Sequence, residues 1–70
     1  MFDLQVKKRI AIGERGNGKR LELNRVSING NREQWDLSLW RDGERLGGTP
    51  FYDDEFETLL DELLRLQKGI

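Results

Sequence analysis

Apolar and polar side chains alternate from the start of the chain. Phe2, Leu4, Val6, Ile10 and Ile12 are apolar, while Asp3, Gln5, Lys7 and Arg9 between them are polar. A period of two predicts a long half-buried strand. Lys8 is the one polar residue on its apolar side, and a kink is expected there. Leu21 and Leu23 open a second strand in one phase, and Val26 and Ile28 continue it in the other. The change of phase near Asn24-Arg25 predicts a bulge or sharp twist, because alternation otherwise assigns each residue to one face. Gly30-Asn31 supplies a turn. Trp35, Leu37 and Leu39 then alternate with Gln34, Asp36, Ser38 and Trp40 in a third strand. Asp42-Gly43 is a strong hairpin signal. A short fourth segment runs through Leu46-Gly47-Gly48-Thr49, before Pro50.

The last third changes period. Phe56, Leu59, Leu60, Leu63 and Leu64 recur at helical spacing, which predicts a helix over about 53–67. Asp53, Asp54 and Glu55 sit where the helix dipole favours negative charge, Arg65 and Lys68 where it favours positive, and Gly69 is placed to end the helix. The reading is one α+β domain spanning the chain, a four-stranded antiparallel sheet followed by one C-terminal helix (ββββα).

Length limits what this domain can do alone. A chain of 70 residues has little core and usually needs a staple or a partner. There is no Cys and no His, so disulfides and ordinary zinc sites are excluded. Leu59, Leu60, Leu63, Leu64, Leu66 and Ile70 make a stripe wider than a single four-stranded sheet requires, which favours a homodimer joined through the helix. No apolar run reaches membrane-spanning length, and Lys7-Lys8-Arg9 interrupts any signal-peptide pattern. A cytoplasmic protein without membrane contact is the expectation. Net charge is −1, but residues 1–45 carry ten Lys or Arg against seven Asp or Glu, and residues 46–70 carry two against six. A moderately basic part apart from an acidic element fits this split, as does ordinary surface decoration.

The stretch GERGNGKR, Gly13 to Arg20, matches the opening of a phosphate-binding loop, G-x-x-x-x-G-K. Arg20 stands where that motif needs Ser or Thr, and no helix follows to receive a phosphate. The stretch therefore reads as a hairpin loop whose glycines suit positive φ, with Arg15, Lys19 and Arg20 free to touch phosphate as side chains.

Enzyme chemistry finds no support. Ser27 and Ser38 have no recognisable base beside them, and nothing marks a perturbed lysine. Asp53-Asp54-Glu55-Glu57 could be drawn as a Mg²⁺ site, but a solvated helix start explains it better. No catalytic residue, metal or cofactor is expected. Trp35 shares parity with Leu37 and Leu39 and is assigned to the core. Trp40 has the opposite parity, and a large aromatic on a polar strand face, near Arg41 and Arg45, suits base stacking beside phosphate contacts. Covering a strand edge or filling a subunit contact would explain Trp40 equally well.

The segments LELNRVSING, WDLSLW and DEFETLLDELL together resemble the bacterial YdbC-like branch of the transcriptional coactivator p15 (positive cofactor four) family. Those proteins are similar over E-L-N-R-V-S, an aromatic-D-I-R-x-W strand and an E-E-F-x-x-L-L-x-E-L helix. The resemblance runs from about Arg20 to Leu64, with a looser match in the first strand. It implies a strongly curved four-stranded sheet with a C-terminal helix, assembled as a homodimer that binds single-stranded DNA and, more weakly, partly melted duplex. It also implies that Trp40 is the stacking tryptophan of the third strand and that Asn24 and Arg25 are the N-R of the second. Ser38 stands where the family usually has Arg, Ile28 where close bacterial relatives have an aromatic, and Leu46-Gly47-Gly48 where the family has a glycine-rich basic strand. Loss of those contacts should lower affinity, with Lys7, Arg9, Lys19 and Arg20 as compensating cations.

The leading expectation is a non-enzymatic, coactivator-like homodimer that binds single-stranded DNA with little sequence preference. It would act in transcription, replication or repair, and be nucleoid-associated if bacterial. Single-stranded RNA is an alternative ligand. A dimeric protein-interaction module that has lost the groove is the contrasting class.

Overall fold

The computed structural model describes residues 3–69. Phe2, the expected start of the first strand, and Ile70, the end of the leucine stripe, lie outside the described residues. The elements are β1 (Leu4–Lys8), β2 (Ala11–Glu14), β3 (Arg20–Ile28), β4 (Gln34–Arg41), β5 (Glu44–Phe51) and α1 (Asp53–Lys68). All strand pairs are antiparallel. The order is β1-β3-β4-β5, and β2 also pairs with β3.

The sheet has five strands where the sequence pattern predicts four. The single first strand is broken into β1 and β2, which follow one another along the edge of β3 not taken by β4. Register shifts lie between Val6 and Lys8 and again between Ala11 and Gly13. At the break the Ile10 carbonyl still accepts from Leu23 N–H at 2.8 Å. Ile10 N–H donates to the Asn24 side-chain Oδ1 at 3.1 Å. A side chain thus replaces the lost ladder acceptor for the Ile10 N–H.

The bulge or sharp twist expected near Asn24-Arg25 does not interrupt the β3–β4 ladder; the irregularity lies on the other side of β3, between Val6 and Lys8, opposite Val26 and Arg25. The β3–β4 register runs unbroken from Arg20 opposite Trp40 to Val26 opposite Gln34. The change of phase has another cause: the two halves of β3 place apolar residues on opposite faces. Leu21 and Leu23 lie on the face that carries the helix. Val26 and Ile28 lie on the other face, opposite Val6 and Leu4 of β1, and Val26 is fully buried.

Local chemistry accounts for the remaining boundaries. Asp42 and Gly43 have φ of 51° and 79°, the left-handed pair that a two-residue hairpin requires. Pro50 lies in β5, at the edge of the sheet, where its missing N–H costs no central ladder bond. Tyr52 N–H donates to the Glu55 carboxylate at 2.8 Å, which closes the helix start. Phe56 stacks on Trp35 with ring centroids 4.6 Å apart and faces Phe51 at 6.3 Å. That aromatic group seats the first turns of α1 on the sheet.

Beyond Phe56 the helix stands clear. Among the described residues, Val26 and Trp40 are the only buried apolar side chains. An open apolar cleft of about 420 Å³ is lined by Ile12, Leu21, Leu23, Leu37 and Phe51 from the sheet and by Phe56, Leu59, Leu60 and Leu63 from the helix. Leu64 and Leu66 are exposed outside that cleft.

Candidate nucleic-acid interface

The face of the sheet opposite the helix is polar and, residue for residue, more buried than the apolar one. β3 contributes Arg20, Glu22 and Asn24, and β4 contributes Asp36, Ser38 and Trp40, in directly opposed pairs. Glu22, Asn24, Asp36 and Ser38 are all buried. Burial of carboxylates is tolerated only with partners of opposite charge or good donors. Glu22 has three: Arg9 Nη2 at 3.1 Å, Arg20 Nε at 2.8 Å and Asn24 Nδ2 at 2.8 Å. Asp36 is gripped by both ends of the Arg45 fork, at 3.0 and 2.9 Å. Among the described residues no buried side-chain polar atom lacks a partner.

These contacts set the protonation behaviour. Burial alone would raise the pKa of Glu22, but the Asn24 amide and the Arg20 and Arg9 guanidiniums outweigh it and hold the carboxyl below its ordinary range. Hydrogen bonding to Asp36 raises the pKa of Arg45 against the opposing effect of burial.

Trp40 occupies the face that its parity assigns, opposite the helix, but its ring is not open to solvent. It is 6% exposed, and its indole N–H donates to Ser38 Oγ at 2.7 Å. Arg9 covers the ring, with its guanidinium carbon 4.3 Å from the ring centroid. The open stacking tryptophan expected from the alternation is thus corrected to a covered one. The residue that covers it comes from the break between β1 and β2, which the pattern did not show. Trp35, assigned to the core, is half-buried, with Phe56 against it and Arg25 at 5.1 Å from the ring centroid.

Seven of the expected binding residues come together on or beside this face: Arg9, Arg20, Asn24, Ser38, Trp40, Arg41 and Arg45. Arg9, Arg20, Trp40 and Arg41 line a cleft of about 240 Å³ at one end of the sheet, between the β2–β3 loop and the β4–β5 turn. Glu14 and Asp42 also line it. The β2–β3 loop is the GERGNGKR segment, closed by Arg15 N–H donating to the Lys19 carbonyl at 2.8 Å, with Asn17 and Gly18 at positive φ. It joins two strands, as a hairpin loop does.

Three expected residues lie elsewhere. Lys7 is exposed on β1, its ammonium 3.4 Å from the Gln5 side chain. Lys19 borders a separate shallow groove with Arg15, Leu21 and Leu39. Arg25 lies on the helix face, where both ends of its fork reach the Asp53 carboxylate, one of them at 3.3 Å, and its Nε meets Glu33 at 3.4 Å. It ties β3 to the start of α1. The contact raises the pKa of Arg25 and lowers that of Asp53. Asp53 is thereby engaged by a cation, and among the described residues no three or more acidic side chains are grouped as metal ligands.

The sequence reading missed Glu22 and Asp36. The signal was present as two period-two polar runs, Arg20-x-Glu22-x-Asn24 and Asp36-x-Ser38-x-Trp40, which become one network once the strands are in register.

In comparisons with known proteins, no family model matches the chain, and no curated protein or solved structure does so either. Among the described residues no helix is long and apolar enough to cross a membrane.

Proposed function

We propose that this chain is a non-enzymatic, single-stranded DNA-binding protein that works as a homodimer. The observation that carries the reading is the cleft that three guanidinium-bearing side chains, Arg9, Arg20 and Arg41, line together with the covered ring of Trp40. Arg9 and Arg20 spend one nitrogen each on Glu22, and their side chains are 44% and 50% exposed. Side chains this exposed leave guanidinium donors beyond those on Glu22 for phosphate oxygens. Arginine beside a stacking surface is the combination that single strands use with little regard to sequence. The resemblance of LELNRVSING, WDLSLW and DEFETLLDELL to the coactivator p15 family points to the same ligand, to a role in transcription, replication or repair, and to the cytoplasm or nucleoid. The open apolar face of sheet and helix supports the dimer, because a second copy would bring an equal and complementary surface.

A dimeric protein-interaction module is the second reading. Glu22 and Asp36 favour it, since they already pair with Arg9, Arg20 and Arg45 and offset two of those three charges.

Fluorescence titration with a dT oligonucleotide at several salt concentrations separates the two. Three phosphate contacts per chain should give a log–log salt slope of about −2 for each subunit that the strand engages. Absence of binding at low salt would favour the interaction module. The same titration with an rU oligonucleotide compares RNA with DNA.

A further inference from the structure

We infer that the surface on which a base stacks is the guanidinium of Arg9, with Trp40 as its backing and not itself the platform. The inference rests on the single-strand reading above. The Trp40 ring is 6% exposed, so a base cannot lie on it as it stands. The guanidinium carbon of Arg9 is 4.3 Å from the ring centroid, while the Arg9 side chain remains 44% exposed. The guanidinium centre thus lies over the indole while much of the Arg9 side chain is open to solvent.

A guanidinium is planar, delocalised and weakly hydrated, and unstacked bases settle on it as they do on aromatic rings. Here it is also held in place. Trp40 attracts the cation through its ring face, and Glu22 draws Nη2 to 3.1 Å. Ser38 in turn fixes the indole through its Nε1 at 2.7 Å. Arg9 thus lies over the indole while Ser38 holds the ring and Glu22 holds the guanidinium through polar contacts. Exposing the indole instead would mean breaking the ion pair to a carboxylate that is 2% exposed, leaving that buried charge one partner short. Stacking on Arg9 incurs no such loss. It also gives Ser38 a role: it anchors the tryptophan that supports the platform.

Lysine keeps the charge and loses the plane, so Arg9→Lys is the test. The variant should bind dT oligonucleotide about tenfold more weakly than wild type. Its salt slope should be unchanged. Its loss on a strand with abasic sites should be much smaller than its loss on dT, since no base is there to stack, and an equal loss on the two strands would overturn the inference. Wild-type affinity for dT in Arg9→Lys would overturn the inference. So would tighter binding by Arg9→Ala, because the side chain would then be a lid over the indole. Should Arg9→Lys not fold, Trp40 emission in the Trp35→Phe background decides, since Trp40 is then the sole tryptophan of the two. A base on the guanidinium leaves that emission as an abasic strand leaves it, and quenching that depends on the base would overturn the platform. If wild type binds no oligonucleotide at low salt, the single-strand reading fails and the platform with it. If wild type binds and Arg9→Lys is indistinguishable from it, the platform alone fails.

Discussion

Glu22 is a carboxylate with 2% exposure and three donors, and such a group makes stability depend on pH. Its folded-state pKa lies below the ordinary 4.5, so its contribution is complete above 4.5 and is lost as pH falls through the lower folded value. Glu22→Gln keeps the shape and an acceptor for Asn24 but loses the charge that Arg9 and Arg20 bind. Wild type should exceed Glu22→Gln by about 1.5–3 kcal/mol at neutral pH, the range for hydrogen bonds to a charged group. The gap should close below pH 4.5, as denaturant unfolding from neutral to acid conditions would show. Asp53, also lowered, by Arg25, remains in both proteins and leaves some acid sensitivity in the variant. A gap that persists unchanged into acid would contradict the assignment of charge to Glu22.

The β4–β5 pair depends on one glycine for its approach. Gly48 lies opposite Ser38, and a Cβ built on it would sit 2.7 Å from both the Leu37 carbonyl oxygen and Ser38 Cα. These are backbone atoms in the central pair of the sheet and cannot swing aside as a side-chain tip could. Gly48→Ala should therefore push β5 away from β4 and destabilise the protein by about 1–3 kcal/mol. Gly47→Ala, with nothing within 4 Å of the added carbon, is the control and should change stability little. Denaturant midpoints of the two variants give the comparison, and equal midpoints would mean that the close approach is not required. The glycines that stand in place of a basic strand thus include one with a steric reason to be there.

A sheet with one helix seated at its first turns, and with Val26 and Trp40 as its only buried apolar residues among those described, has little to hold it together as a monomer. The cleft between sheet and helix supplies the missing burial if a second chain fills it. Sedimentation at micromolar concentration should give twice the 8.2 kDa chain mass. Leu60→Asp or Leu63→Asp puts a charge into that cleft and should dissociate or unfold the protein. Leu66→Asp should be milder, since Leu66 is 62% exposed and lies outside the cleft. A compact, stable monomer of the wild-type chain would remove the basis for the dimer.

Local signals were legible in the chain. The leucine spacing and its flanking charges place a helix over about 53–67, and α1 runs Asp53–Lys68. Asp42-Gly43 announces its hairpin, and GERGNGKR its loop, because left-handed backbone favours few residue types. Parity correctly separates Trp35 from Trp40, since neighbours in a strand must point to opposite faces. Alternation names the two faces but not what covers each. It cannot show that Ile10 leaves the ladder for the Asn24 side chain, that Arg9 thereby lies over Trp40, or that Glu22 and Asp36 hold three of the expected cations. Those pairings join residues up to 31 positions apart, as Arg9 and Trp40 are, and they exist only once strand register is set. Register follows from packing across the whole sheet, so folding alone put the polar face under its arginines and left the leucine face open.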